Sequence, residues 1–354
     1  MRQHLLTSII VALTALALGA CADETTAPST APTTGGPELA VAPNTWIIRR
    51  DMWNTERSDF VTATVPNAAG QSVVYVIGGR GASGVGLTSV MAYNVTTNSW
   101  TLRAPLPVPL YGMSGAGVIN GKIYVPGGFS YWYPQRGMLM YDPVKNTWAV
   151  KSPIPYIRYD AGASIFGAGS GVSGVINGKL YVLTQCWDTS DQQYRPCDEA
   201  LLFRYNPITD RWARLASPPQ DAGVFLQHGM AGVIGGKLYV VGGTGTEGRI
   251  TVYDPATNQW TAKRGLGLPR ADAASVVHAG KLYLIGGTRF NADETSEVLR
   301  ANIAYDPITD RWTNYAPLPG ARTGLAGSLV TLNGQPRIEV IGGSRPGNNL
   351  QFIP

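Results

Sequence analysis

The sequence predicts an all-β fold made of six copies of one four-stranded unit, the last copy completed by the N-terminal segment. Two features in register carry this reading. The first is an aromatic pair seven residues apart: Tyr93/Trp100, Tyr141/Trp148, Tyr205/Trp212, Tyr253/Trp260 and Tyr305/Trp312. A sixth aromatic, Phe352, has no such partner before Pro354, whereas Trp46 stands alone near the start, preceded by Asn44 as the other tryptophans are preceded by Asn or Asp. Strand d of the last unit is therefore expected from residues 44–50. The second feature is a hairpin glycine (Gly70, Gly121, Gly178, Gly236, Gly280, Gly334) followed by a glycine pair (78–79, 127–128, 242–243, 286–287, 342–343), with Thr184-Gln185 replacing the pair in the third unit.

Each element of the unit follows from local chemistry. Asn120-Gly121, Asn177-Gly178 and Asn333-Gly334 predict type I′ turns, whose two central residues need positive φ. Runs such as KLYVVGG (237–243) and KLYLIGG (281–287) are β-branched, aromatic and flanked by glycine, as buried strands are. Asp-Pro at 142–143, 254–255 and 306–307, and Asn-Pro at 206–207, build the turn between strands c and d, the Asn or Asp capping it and the Pro presetting φ.

Gly-Gly, Tyr and Trp in this register resemble the kelch repeat, over residues 44–354. The resemblance implies a β-propeller: six four-stranded blades around a central channel, with residues 44–50 giving a circular closure. It also implies a location for function, the face carrying the b–c and d–a loops. Variable loops on a rigid scaffold are where binding residues concentrate.

The ends and the composition limit the setting. Residues 1–20 have Arg2 followed by an apolar stretch from Leu5 to Leu18, too short to span a bilayer comfortably, and are expected to be a signal peptide. Leu18-Gly19-Ala20-Cys21 resembles a bacterial lipobox. That implies cleavage before Cys21, lipid on this residue and, with Ala22 following, an outer-membrane lipoprotein of the cell envelope. Residues 21–43 are rich in Thr, Ala and Pro and are expected to be a disordered tether. The formal charge is +5, but Lys122, Lys179, Lys237 and Lys281 occupy equivalent hairpins and spread charge around the molecule. A nucleic-acid protein gathers its charge in a stripe, so nucleic acid is excluded as a partner. With closure leaving no free sheet edge, a monomer is expected.

Three loop clusters are candidates for binding. Phe129, Tyr131, Trp132 and Tyr133 crowd one b–c loop and suit a stacking platform for sugar rings or a protein hot spot. The third unit has the longest loops, with Arg158, Tyr159 and Asp160 before it. Its b–c loop carries Cys186 and Cys197 with Trp187 between them, expected to form a disulfide in an exported protein. Arg80, Arg158, Arg270, Arg289, Arg322 and Arg345 sit at loop positions, where planar forks would clamp a carboxylate if they converged on the channel. The alternative is pairing with acidic neighbours such as Asp272, Asp293 and Glu297.

Catalytic signatures are sparse. His228 and His278, the histidines beyond residue 20, align to opposite faces, so no metal site is expected, and no cofactor. This departs from the paired histidine ligands of the kelch copper oxidases resembling galactose oxidase. The acid/base candidates are His228, Asp160 and Glu294. The expected function is a lipid-anchored binding module recognising a glycan or another envelope protein. The alternative is a periplasmic sugar isomerase similar to the six-bladed kelch mutarotases that act on sialic acid.

Overall fold

The computed structural model describes residues 42–52, 57–131, 133–158, 164–188, 195–219, 229–243, 248–267, 269–291, 293, 295–343 and 349–354, without the side chains of 156–158, 164–170, 186–188 and 195–199. Among these residues there is no helix, and no helix long and apolar enough to cross a membrane. The repeats form successive antiparallel sheets, each with strands a to d in order. Sheet 1 is Val61–Pro66, Ser72–Ile77, Val90–Asn94 and Ser99–Arg103. Sheet 2 is Gly117–Ile119, Lys122–Pro126, Met138–Asp142 and Thr147–Lys151. Sheet 3 is Ser164–Ile176, Lys179–Asp188, Arg195–Asn206 and Arg211–Arg214, with Tyr156–Arg158 added beside strand a. Sheet 4 is Met230–Ile234, Lys237–Val241, Ile250–Asp254 and Gln259–Lys263, and sheet 5 is Ala274–His278, Lys281–Ile285, Asn302–Asp306 and Arg311–Tyr315. Sheet 6 is Leu325–Leu332, Gln335–Gly342 and Leu350–Ile353, joined on its outer edge by Thr45–Ile48.

The register of that last pairing is the one the sequence predicts. Trp46 lies opposite Phe352, as Trp100 lies opposite Tyr93 and Trp148 opposite Tyr141. In all six sheets the two rings are 4.8–5.3 Å apart. The expected turns are present too: Asn120, Asn177 and Asn333 have φ near 50°, and the glycines after them have φ of 69–74°.

The sheets are held to one another by a repeated polar clasp. The Asn or Asp two residues before each tryptophan (Asn44, Asn98, Asn146, Asp210, Asn258, Asp310) has φ of 49–59°. Few side chains accept that left-handed backbone, and Asn and Asp are among them. Its Oδ1 receives the backbone N–H of the first or second residue after strand d of the preceding sheet, as in Ala104 to Asn146 at 2.8 Å and Ser152 to Asp210 at 3.0 Å. In sheets 1 to 5 the same Oδ1 also receives the Tyr hydroxyl of its own strand c, at 2.5–2.7 Å. Every tryptophan of the set except Trp312 then returns a bond across the seam: Trp148 Nε1 donates to Ala104 O at 2.9 Å and Trp212 Nε1 to Ser152 O at 2.7 Å. In sheet 6, Ala316 N donates to Asn44 and Trp46 Nε1 donates to Ala316 O, 2.6 and 2.8 Å.

The glycine pair serves the inner side of four of the seams. Gly79, Gly243, Gly287 and Gly343 donate their N–H to carbonyls at the entrance of the next sheet: Leu110, Arg270, Arg322 and, for Gly343, Arg57 of sheet 1. The first glycine of the pair has φ of 60–74°, and a Cβ there would lie 2.3 Å from Arg270 O at Gly242 and 2.4 Å from Leu110 O at Gly78. Only glycine tolerates both constraints. Strand a of each sheet packs beside strand a of the next, and that of sheet 6 packs beside that of sheet 1.

Sheet 3 corrects one expectation. What reads as long loops is strand: the d–a segment and b–c connection extend strands a, b and c to 13, 10 and 12 residues. Thr184 and Gln185, in place of the glycine pair, let pairing continue, with a register shift between Gln185 and Trp187. Trp187 pairs with Pro196, which sets Cys186 and Cys197 on adjacent strands one residue from that pair; their side chains, and the disulfide expected of them, lie outside the described residues.

Gly242→Ala is expected to cost about 2–4 kcal/mol, since it adds a backbone clash to left-handed strain. Gly70→Ala, with φ of 74° but nothing within 4 Å, should cost about 1 kcal/mol. Urea unfolding of the two variants measures the difference.

Candidate functional site

The entrance segments before strand a meet at the mouth of a central cavity of about 110 Å³. Its lining includes Asp59, Gly112, Gly171, Gly229, Asp272 and Gly324, one from each sheet's inner strand or the residues before it. Asp59 and Asp272 have φ of 55° and 58°, and Gly112 and Gly324 have 56° and 72°, so the backbone turns sharply at each position. Gly112 N donates to Asp59 O at 2.8 Å and Gly324 N to Asp272 O at 3.0 Å, joining neighbouring segments around the mouth.

Among the described residues the mouth is lined with carboxylates and glycine rather than arginine, and the candidate arginines go to different places. Arg270 is the clearest correction. It is 3% exposed, and its guanidinium donates to the carbonyls of Gly286, Leu284 and Ala301. It staples the end of strand b to the start of strand c, a bond set that a solvent-facing loop residue does not make. Sequence reasoning missed its counterpart in sheet 1. Arg57 is 2% exposed and donates to Gly78 O at 3.2 Å and Ser89 Oγ at 2.6 Å. The shared spacing of Arg57-Ser58-Asp59 and Arg270-Ala271-Asp272 was the available signal. Burial lowers both guanidiniums to about 10, which leaves them charged at neutral pH.

Arg80 does not line the cavity but pairs with a residue that does, as part of a stack. Its Nε is 3.6 Å from the Asp59 carboxylate, and its guanidinium carbon lies 4.0 Å from the Tyr111 ring centroid. The opposing aromatic is Phe129, stacked on Tyr111 at 5.6 Å with the ring planes 19° apart. Arg289 pairs with Glu297 across a small hairpin, Thr288–Phe290 with Ser296–Val298, matching the acidic pairing weighed from the sequence. Arg322 is half-buried, and burial lowers its guanidinium while Asp51 raises it. Arg158 ends a short strand with its side chain undescribed. Cys21, Trp132, Tyr159, Asp160, His228, Glu294 and Arg345 lie outside the described residues.

The aromatic loop divides in two. Phe129–Ser130 and Tyr133–Pro134 form a two-stranded hairpin of their own, bridged to Tyr111 through Phe129. Phe129 is half-buried and serves as the base. Tyr131, at the turn with φ of 46°, is 70% exposed, and Tyr133 is 57% exposed. Two rings therefore project from a base fixed by the Arg80–Tyr111–Phe129 stack. Tyr hydroxyls and ring faces suit sugar stacking or a protein contact. His278 stands at the end of its strand a beside the hairpin, as its alignment predicts, and burial lowers its imidazole. Among the described residues no group of three His, Cys, Asp or Glu could hold a metal.

Two kelch-motif family models match this chain, at residues 64–107, 111–154 and 269–319 and at residues 225–263, together half of its length. The chain belongs to the kelch-repeat family. Kelch-like protein 23 of Homo sapiens is 28% identical over 284 residues, covering 78% of this chain and 45% of that protein. Kelch-like protein terF of Aspergillus terreus is 26% identical over 239 residues, covering 65% of this chain and 50% of the relative. The chain thus spans about half the length of these curated relatives. The solved structure of YjhT superposes with a TM-score of 0.62 at 17% identity, covering 86% of this chain and 94% of the other, which shows a shared β-propeller fold.

Arg270→Met is expected to destabilise the protein by about 2–4 kcal/mol, because it strips donors from buried carbonyls. Tyr131→Ala, at a mostly exposed side chain, should stay within about 0.5 kcal/mol of the parent. Paired thermal melts check both.

Proposed function

We propose that this kelch chain is a six-bladed propeller, closed by Thr45–Ile48, that works as a binding module of the bacterial cell envelope. Lipid on Cys21 anchors it to the outer membrane, and residues 21–43 tether it. The face carrying the b–c and d–a loops takes a glycan or another envelope protein. The observation that supports this most is the 129–134 hairpin, which holds Tyr131 and Tyr133 in solvent on a stacked base. Exposed aromatics cost apolar hydration and add nothing to the core, so their presence on a braced hairpin fits a surface kept for a partner.

A second reading has one observation in its favour. Asp59 lines the mouth of the cavity and Arg80 lies 3.6 Å from it. An acidic-sugar mutarotase needs an acid or base beside a carboxylate clamp, and Asp59 with Arg80 beside it offers both residue types. Arg80 is already committed to Asp59 and Tyr111, so it would have to exchange a partner to hold a substrate.

Binding of the full chain to arrays of sialylated and uronic glycans, and to envelope extracts, separates the readings. A ligand whose affinity falls on the order of tenfold or more in Tyr131→Ala/Tyr133→Ala, at an unchanged melting temperature, supports the binding module. A ligand indifferent to both tyrosines but lost in Asp59→Asn, with its anomers exchanging in NMR, would transfer the assignment to the mutarotase.

A further inference from the structure

The contact between sheet 6 and sheet 1 differs chemically from the others. Elsewhere the Tyr three residues before the glycine pair, or before its equivalent in sheet 3, meets the strand-c Tyr of the next sheet. Tyr75–Tyr141, Tyr124–Tyr205, Tyr181–Tyr253 and Tyr239–Tyr305 have ring centroids 5.6–6.3 Å apart. Between sheets 5 and 6, Tyr283 meets Phe352 at 6.4 Å. In sheet 6 the equivalent residue is Glu339, three before Gly342, and it is 0% exposed. Its neighbour across the seam is Tyr93 of sheet 1, whose hydroxyl is raised by burial and further by Glu339.

A carboxyl in that place is costly unless its oxygens are satisfied. The Gln351 amide donates to Glu339 Oε1, and Asn349, also buried, lies beside the carboxyl. Glu339 Oε2 and Gln351 Oε1 have no partner in the described structure. The surroundings supply little compensating charge. Arg49, after the closing strand, gives its guanidinium to Tyr93 Oη at 3.1 Å and Val95 O at 2.6 Å. Arg337 lies on the same face of the strand two residues away, half-buried, and donates to Pro336 O. The Asp51 carboxylate takes the Asn349 N–H at 2.9 Å. Strand a of sheet 6 presents Ser328, paired with Glu339, and strands a and b of sheet 1 present Thr62, Val74 and Val76, none charged.

We propose that Glu339 makes the contact between the last and first sheets a pH-sensitive latch, shut while its carboxyl is protonated and loosened when it ionises. Burial pushes this carboxyl up from 4.5 to about 7, against the opposing pull of Gln351, Arg49 and Asn349. The folded chain then holds a proton that the unfolded chain has released between those values. The stabilisation is complete below the unfolded value, the folding equilibrium constant falls about tenfold per pH unit as pH rises between the two, and the stabilisation is gone above about 7. A tyrosine here, as in the other sheets, would carry no such dependence.

The test uses the full chain and Glu339→Gln, which keeps the shape and the polar partners but cannot ionise. The parent's melting temperature should fall by roughly 5 °C more than the variant's between pH 5 and pH 8. Its additional hydrogen exchange at pH 8, corrected for intrinsic rates, should concentrate in residues 45–48, 61–77, 90–94 and 325–353. Parallel melting profiles, or extra exchange centred on another seam, would overturn the proposal. Should Glu339→Gln not fold, the parent's infrared carboxyl band decides: a protonated band persisting at pH 6 and bleaching by pH 8 upholds the latch, and complete ionisation at pH 6 refutes it.

Discussion

An Asn or Asp side chain held in left-handed backbone is the constraint on which the rest of this molecule depends. At that φ the side-chain oxygen can reach backward to its own strand-c tyrosine and sideways to the preceding sheet at once. One acceptor thus fixes the c–d turn, the buried tyrosine and the seam between sheets. The tryptophan two residues on adds a second bond across the same seam and fills the space beside the tyrosine. Local strain of about 1–2 kcal/mol at each left-handed residue is offset by two or three hydrogen bonds and a large buried ring. Because the Asn or Asp acceptor recurs at every seam, the segment at Asn44 and Trp46 matters as much as any internal repeat.

The same economy explains where function can be. Repeated positions are committed: tyrosines to clasps, glycine pairs to carbonyls of the next sheet, and, at the surface, three hairpin lysines to Asp142, Asp254 and Asp306 of their own turns. Two arginines are drawn into this frame, Arg57 and Arg270, each bracing a strand end from inside. The residues left to vary lie on the b–c and d–a loops. There the frame builds outward, through the Arg80–Tyr111–Phe129 stack that carries Tyr131 and Tyr133. Glu339 is an exception inside the frame, and it sits in the sheet that Thr45–Ile48 joins.

The frame was legible in the sequence because its physics repeats. A seven-residue Tyr–Trp spacing with Asn-Gly turns and glycine pairs has few alternative explanations, and even the pairing of Trp46 with Phe352 follows from it. The role of the Asn and Asp before each tryptophan was visible as a pattern but not as a clasp, since a backbone φ and a partner 42 to 272 positions away leave no local trace. The site was less legible. Arg80 and Arg270 look alike at loop positions, and only burial separates a stack from a staple. In sheet 3 the absence of a glycine pair read as loop, although removing that pair is what lets the strands run on. Tyr131 and Phe129 likewise share a composition and divide their roles by which way the hairpin turns.

The most direct test of the clasp as the organising constraint is the unfolding of two rearranged chains that lack residues 1–41. In one, residues 42–50 are deleted; in the other they are moved to follow Pro354 through a short flexible linker. The permuted chain should unfold cooperatively within a few degrees of the parent, and the deleted chain should melt far lower or lose cooperativity, its last sheet without Asn44 and Trp46. A deleted chain that unfolds cooperatively at the parent's temperature would contradict the account.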